Sequence, residues 1–136
     1  MTTIKEQILN VVAKRGVSFV ELSREVPDFD GDFAHVVYFP DRNIEVLFWH
    51  GMSHAAIDAL EALIFEGAIA ASGSSVLVYA IDGEVPSYPV FTDSVGKSKR
   101  VPKERKTYWM PVVFNPAHSV DPEKHIPIFG PKDASI

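Results

Sequence analysis

Residues 57–83 read IDALEALIFEGAIAASGSSVLVYAIDG, and the spacing of the apolar residues changes halfway along this stretch. In the first half they recur every three or four positions, which predicts an amphipathic helix over residues 54–66. Ser53 is a favourable N-cap and Gly67 a favourable terminator for that helix. The first half therefore predicts a complete helix with its start and stop signals.

The second half of the stretch predicts a β-hairpin. Residues 68–71 and 76–81 are apolar or β-branched, and residues 72–75 (SGSS) form a turn-rich tip between them. Asp82 and Gly83 would close this hairpin.

Two further helices are predicted before this stretch. Thr3 and Glu6 form a capping box at the start of the first helix, and Gly16 is a natural stop. Ser18 and Glu21 form a second capping box, for a short helix that Pro27 would end.

Another hairpin, the first in chain order, is predicted between the second and third helices. Residues 34–39 and 44–49 are rich in β-branched and aromatic residues, and residues 40–43 (PDRN) have turn chemistry. Because both strands carry apolar residues at successive positions, we expect this hairpin to be covered on both faces.

The order of three helices and a hairpin over residues 3–83 resembles the winged-helix fold. The resemblance implies DNA binding through the third helix. However, residues 54–66 contain no Lys or Arg but do contain Asp58, Glu61 and Glu66. Since DNA affinity comes largely from Lys and Arg at phosphates, we do not expect this helix to read DNA.

The composition changes after residue 83, because eight of the ten prolines lie at Pro86 or later. Residues 107–114 (TYWMPVVF) predict one strand there, at a sheet edge because Pro111 has no N–H to donate. The sequence thus predicts an α+β fold, with a winged-helix-like three-helix domain over residues 1–83 and an extended, Pro-rich arm over residues 84–136.

Charge is unevenly distributed along the chain, whose formal net charge is −5. Residues 1–96 hold 5 basic and 14 acidic residues, whereas residues 97–106 hold 6 basic residues and one acidic residue. The candidate site residues are these cations and the two aromatic residues that follow: Lys97, Lys99, Arg100, Lys103, Arg105, Lys106, Tyr108 and Trp109.

Three interpretations of this segment compete. The cations could bind phosphates while Tyr108 and Trp109 stack on bases. Alternatively, the two aromatic side chains could anchor in a groove of a protein partner. In the third interpretation, the segment is a solvated basic loop that leads into a core strand containing a buried Trp109.

No catalytic, metal or cofactor site is predicted. The chain has no Cys, and Asp28, Asp30 and Asp32 match only the first three ligand positions of an EF-hand loop. His50 and His54 are four residues apart, but Gly51 and the Ser53 cap interrupt a helix between them. We therefore expect a non-enzyme.

These features favour a non-catalytic protein-interaction module, such as a regulatory or assembly component, which binds through the acidic face of the domain and the aromatic arm. Its partner would be another protein or a second copy of the chain, paired through exposed sheet edges. The alternative function is a DNA- or RNA-binding regulator that acts through residues 97–109. No secretory signal or membrane span is evident, so a cytoplasmic location is expected.

Overall fold

The computed structural model describes residues 3–82, 85–91 and 103–129. Within these ranges the chain forms four α-helices and two small sheets, so its fold is α+β. The elements follow the order α1 (Ile4–Lys14), β1 (Val17–Ser18), α2 (Phe19–Glu25), β2 (Asp30–Phe39), β3 (Ile44–Met52), α3 (His54–Phe65), β4 (Ile69–Gly73), α4 (Val76–Asp82), β5 (Lys106–Trp109) and β6 (Val112–Pro116). None of the helices within the described ranges is long and apolar enough to cross a membrane.

The first three helices begin at the predicted caps. The hydroxyl oxygens of Thr3, Ser18 and Ser53 accept hydrogen bonds from backbone N–H groups in the first turns of α1, α2 and α3, at 3.1, 3.2 and 3.1 Å. Each bond satisfies a donor that has no partner inside the helix. The three predicted helices are confirmed.

Each of the two sheets has three strands. The first has the order β1-β6-β4, and all its pairings are antiparallel. The second has the order β2-β3-β5, in which β2 and β3 form the predicted antiparallel hairpin and β5 runs parallel to β3. The central strands are therefore β6 and β3, and β2 lies at an edge.

The predicted second hairpin is wrong, because residues 76–82 form the helix α4 instead of a strand. The Ser75 hydroxyl accepts a hydrogen bond from the Leu77 N–H at 3.1 Å and so caps the first turn. The helical turn buries Tyr79 completely and leaves Leu77 and Ile81 exposed. A short apolar run has the same composition in a buried helix and in a strand, so its neighbours decide between them.

The predicted single strand over residues 107–114 is also wrong. The chain leaves one sheet at Trp109 and enters the other at Val112, so β5 and β6 belong to different sheets. Pro111 lies between them and has no N–H for either ladder. The predicted edge position holds for β5, which lies beside only one named strand, β3. It does not hold for β6, which lies in the middle of its sheet.

A single cluster of buried side chains joins all four helices with both sheets. The predicted arm supplies part of this core: Trp109, Val112, Phe114 and Ile128 are all fully buried. The expectation that both strands of the first hairpin are covered holds for β3 but is wrong for β2, where most side chains are exposed.

Candidate interaction surface

The basic segment is described from Lys103 onward, where it runs beside the first hairpin. Lys106 lies opposite Ile44, and the pairing continues to Trp109 opposite Leu47. Lys103 and Lys106 are exposed. Three of the six predicted cations, Lys97, Lys99 and Arg100, lie outside the described residues.

Arg105 is held by the hairpin. Its Nη1 atom donates a hydrogen bond to the Glu45 Oε1 atom at 3.0 Å, and its guanidinium lies 4.0 Å from the centre of the Tyr38 ring. The hydrogen bond that Arg105 donates to Glu45 is the main cause of a raised Arg105 pKa. One of the predicted phosphate-binding cations is therefore already paired with a carboxylate.

A side-chain network fastens the same segment to the hairpin turn. The Tyr38 hydroxyl donates to the Asn43 Oδ1 atom at 3.0 Å, and the Asn43 amide donates to the Lys103 carbonyl oxygen at 3.3 Å. Asn43 has a φ of 51°, a left-handed conformation that Asn tolerates well in turns. The end of the sheet is thus built jointly by the turn and the basic segment.

Trp109 is fully buried, with its ring edge-on to Tyr79 at a centroid distance of 5.1 Å. Its backbone N–H donates to the Pro89 carbonyl and its carbonyl accepts from the Phe91 N–H, both at 2.8 Å. Trp109 therefore lies in the core, as the third interpretation of the segment has it. Its indole is not exposed for stacking on a base or for filling a partner's groove.

Tyr108 faces away from that core and is half-buried. Its ring packs edge-on against Phe91 at a centroid distance of 6.4 Å. Of the two predicted aromatic contact residues, only Tyr108 retains some exposed surface.

The most exposed apolar surface on the two sheets lies on β2, which was not among the predicted site residues. Val36, Tyr38 and Phe39 are 43%, 41% and 42% exposed, and Phe33 is exposed beside them. We call this the β2 edge: residues 30–39, with β3 on one side and no further strand among the described residues on the other. Its apolar composition predicted a strand, but nothing in the sequence indicated which strand would be central.

A cleft of about 530 Å³ adjoins the β2 edge. Val36 and Leu47 form its floor from two neighbouring strands, and Tyr88 lines it from the segment over residues 85–91. Glu45 and His50 contribute polar groups to its wall.

The exposed side of α3 is acidic, as its sequence indicates. Asp58 and Glu61 are exposed there, and the His54 Nδ1 atom lies 3.8 Å from the Asp58 Oδ2 atom. A polyanion would be repelled by this face.

The partial metal-binding patterns are not assembled into a metal site within the described ranges. No group of three or more His, Asp or Glu side chains comes together there. His50 stacks on Trp49, and Asp30 accepts a hydrogen bond from the Ser23 hydroxyl.

His35 is the one polar side chain of the β2 edge that turns inward. Its ring packs between Phe48 and Phe129, and its Nε2 atom is hydrogen-bonded to the Ile128 carbonyl oxygen. Burial lowers the pKa of His35, while the hydrogen bond and the Glu61 carboxylate act in the opposite direction. His35 therefore ties the C-terminal part of the chain to β2 in its neutral form.

Comparisons with models of protein families, with curated proteins and with solved structures find no match for this chain. Inferences about function therefore depend on the residues and contacts described above.

Proposed function

We propose that this protein is a non-catalytic protein-interaction module whose binding surface is the β2 edge. The observation that carries the proposal is the exposure of Val36, Tyr38 and Phe39 on a ten-residue strand that has a neighbouring strand on only one side within the described ranges. A long apolar edge strand is a template for pairing with another chain, and native proteins usually blunt such edges. Edge pairing supplies main-chain hydrogen bonds, and exposed aromatic side chains supply specificity.

The contacts of the basic segment favour a protein interaction through the hairpin and argue against a nucleic-acid site in this segment. Arg105 is paired with Glu45, and the Trp109 side chain is buried in the core. Among the described residues at this end of the molecule, exposed apolar side chains lie beside charged ones, as expected of an apolar interface core with a polar rim.

We also propose that the fold is a variant of the winged-helix type. Support comes from the order α1, β1, α2, α3, although the hairpin of β2 and β3 is inserted between α2 and α3. It also comes from the two strands after the third helix, β4 and β6, which pair directly with Ala71 opposite Phe114. Residues 74–111 are inserted between these two strands and include α4 and β5. The DNA-binding role of the type does not carry over to α3, because the exposed side of that helix is acidic.

The interaction can be tested by comparing two lysine substitutions in the full chain. Val36→Lys places a charge on the β2 edge, whereas Leu77→Lys places the same charge on the exposed side of α4. We expect proteins captured from the native host by the immobilised chain to be lost with Val36→Lys and retained with Leu77→Lys. Equal capture by both variants would contradict the proposed surface.

A nucleic-acid-binding function is the second candidate. It is favoured by the exposure of Lys103 and Lys106, which follow the cations of residues 97–100 closely in the sequence. Its test is fluorescence anisotropy with labelled DNA and RNA at two salt concentrations. Salt-sensitive binding that is lost when Lys103 and Lys106 are replaced by Ala would favour this candidate. For either function we propose a cytoplasmic protein, since the absence of Cys is compatible with a reducing compartment.

A further inference from the structure

We infer that the partner of the β2 edge is a second copy of this chain, paired antiparallel about a two-fold axis at Val37. This inference rests on the proposed function, because it uses the same surface and specifies the occupant. This pairing would join the β2-β3-β5 sheets of the two copies into one continuous six-stranded sheet.

The first argument concerns the part of β2 that can accept another strand. The ladder between β2 and β3 is regular from Val36 to Phe39, whereas register shifts interrupt it between Asp30 and Val36. Bulges twist an edge away from potential partners, so the regular end is the part with evenly spaced outward N–H and C=O groups. Pairing therefore starts at the C-terminal half of the strand.

The second argument concerns symmetry. A two-fold axis that relates two adjacent antiparallel strands leaves each residue on the same face of the sheet in both copies. Because side chains alternate between the two faces, residues paired across the axis must differ by an even number of positions. The axis is therefore centred on a residue and not between two residues. An axis at Val37 places Val36 of each copy opposite Tyr38 of the other. It also places Phe39 opposite His35. All three exposed apolar residues of the regular segment would then gain a cross-strand partner.

The third argument is charge complementarity between the two ends of the strand. The N-terminal end carries Asp28, Asp30 and Asp32 without a basic residue over residues 26–34. The C-terminal end, formed by residues 41–45 and 103–106, carries four basic and three acidic residues, a net charge of one positive unit. Antiparallel pairing brings the acidic end of each copy, which includes Asp32, towards the basic end of the other, which includes Arg42 in the hairpin turn.

A partner that paired parallel to β2 would bring like ends together if it were the same chain. The antiparallel arrangement removes this repulsion, and it does so twice because of the symmetry. The surface is therefore self-complementary in only one of the two directions.

The first experiment measures the oligomeric state of the full chain by sedimentation velocity from about 1 µM to about 100 µM. We expect a reversible dimer whose formation is weakened at least about tenfold by Val36→Lys, since each substitution enters the interface twice. Leu77→Lys is the matched control and is expected to leave the dimer unchanged. Circular dichroism of both variants would establish that they fold.

A charge swap tests the predicted direction of pairing. Asp32→Lys and Arg42→Asp are each expected to weaken dimerisation, because each weakens or reverses the attraction between the two ends, and it does so twice per dimer. The double variant exchanges the charges and is expected to recover most of the lost dimerisation. Weakening in both single variants without recovery in the double variant would overturn the predicted direction of pairing.

The outcomes separate this inference from the proposed function. A chain that stays monomeric up to the highest concentration, or a dimer insensitive to Val36→Lys, would overturn the second copy as occupant. If Val36→Lys still abolished capture of a host protein, the β2 edge would remain an interaction surface for a different partner. If it affected neither dimerisation nor capture, both proposals would fail.

Discussion

The strands β2 and β3 are neighbours in one hairpin and are both rich in apolar residues, yet they differ in burial along almost their whole length. In β3, Val46, Leu47, Phe48 and Trp49 are all buried, so both of its faces are covered. In β2, apolar side chains remain exposed on both faces. Since composition is similar, the difference is one of position.

The position of β3 is fixed by its second neighbour. The strand β5 pairs with it from Ile44 to Leu47, and the main core packs against Phe48 and Trp49. The strand β2 has no equivalent neighbour among the described residues. Similar side chains therefore stabilise the fold in one strand and are available to a partner in the other.

The largest expected contrast comes from a matched pair of truncations. Phe48→Ala removes a buried ring from β3 and should lower the free energy of unfolding by about 3–5 kcal/mol. Phe39→Ala removes a half-exposed ring from β2 and should cost about 1 kcal/mol or less. Urea denaturation followed by circular dichroism measures both, and equal losses would contradict the contrast between the strands.

A smaller contrast is expected from two tyrosine hydroxyls. The Tyr79 hydroxyl, beneath β3, accepts from the Phe19 N–H at 3.2 Å and donates to the Val112 carbonyl at 2.6 Å. Tyr79→Phe leaves buried groups unsatisfied and should cost about 1–3 kcal/mol. Tyr38→Phe, on β2, removes only an exposed hydrogen bond and should cost less than about 0.5 kcal/mol. Similar losses in urea denaturation would show that Tyr79 is not anchored as described.

The inward-facing residue of β2 should give a pH dependence. Because burial lowers the pKa of His35 in the folded state, the unfolded chain takes up a proton first as the pH falls below the ordinary His value of 6.5. Stability should therefore be full above pH 6.5 and decrease below it, until the folded-state pKa is passed.

This dependence is measured as the unfolding midpoint between neutral and mildly acidic pH. We expect the unfolding midpoint of His35→Gln to change less with pH. In His118→Gln, an exposed control, the pH dependence of the midpoint should be unchanged. A slope that persists in His35→Gln would assign it to another group.

The smallest effect is expected at the end of the hairpin. Arg105→Ala removes an ion pair with Glu45 and a contact with the Tyr38 ring, but the arginine side chain is half exposed and solvent screens the pair. We expect the midpoint of urea denaturation to be nearly unchanged, with any difference disappearing at high salt. A loss as large as that of Tyr79→Phe would show that Arg105 is a structural anchor.

The parts of the fold that could be predicted from the sequence depend on interactions between near neighbours. The three caps at Thr3, Ser18 and Ser53 and the turn over residues 40–43 involve groups within a few residues of each other. Local chemistry of this kind is readable in a single sequence. The α+β class, the first three helices and the first hairpin followed from it.

The incorrect predictions concern segments whose structure depends on contacts with residues far away in the sequence. Residues 76–82 are helical because Tyr79 reaches Phe19 and Val112, which lie 60 and 33 residues away. Trp109 is buried because β5 pairs with β3 and with the segment around Val90. The sequence records the apolar and aromatic character of these residues but not their partners.

The sequence by itself thus determined which segments are helices or strands wherever capping and turn chemistry are local, and it determined the acidic character of α3. Only the tertiary structure decided that β3 is central and β2 peripheral, and hence which apolar residues belong to the core and which form a surface. The physical reason is that burial depends on the sum of contacts from all elements, whereas hydrogen-bonded caps and turns are complete within a few residues.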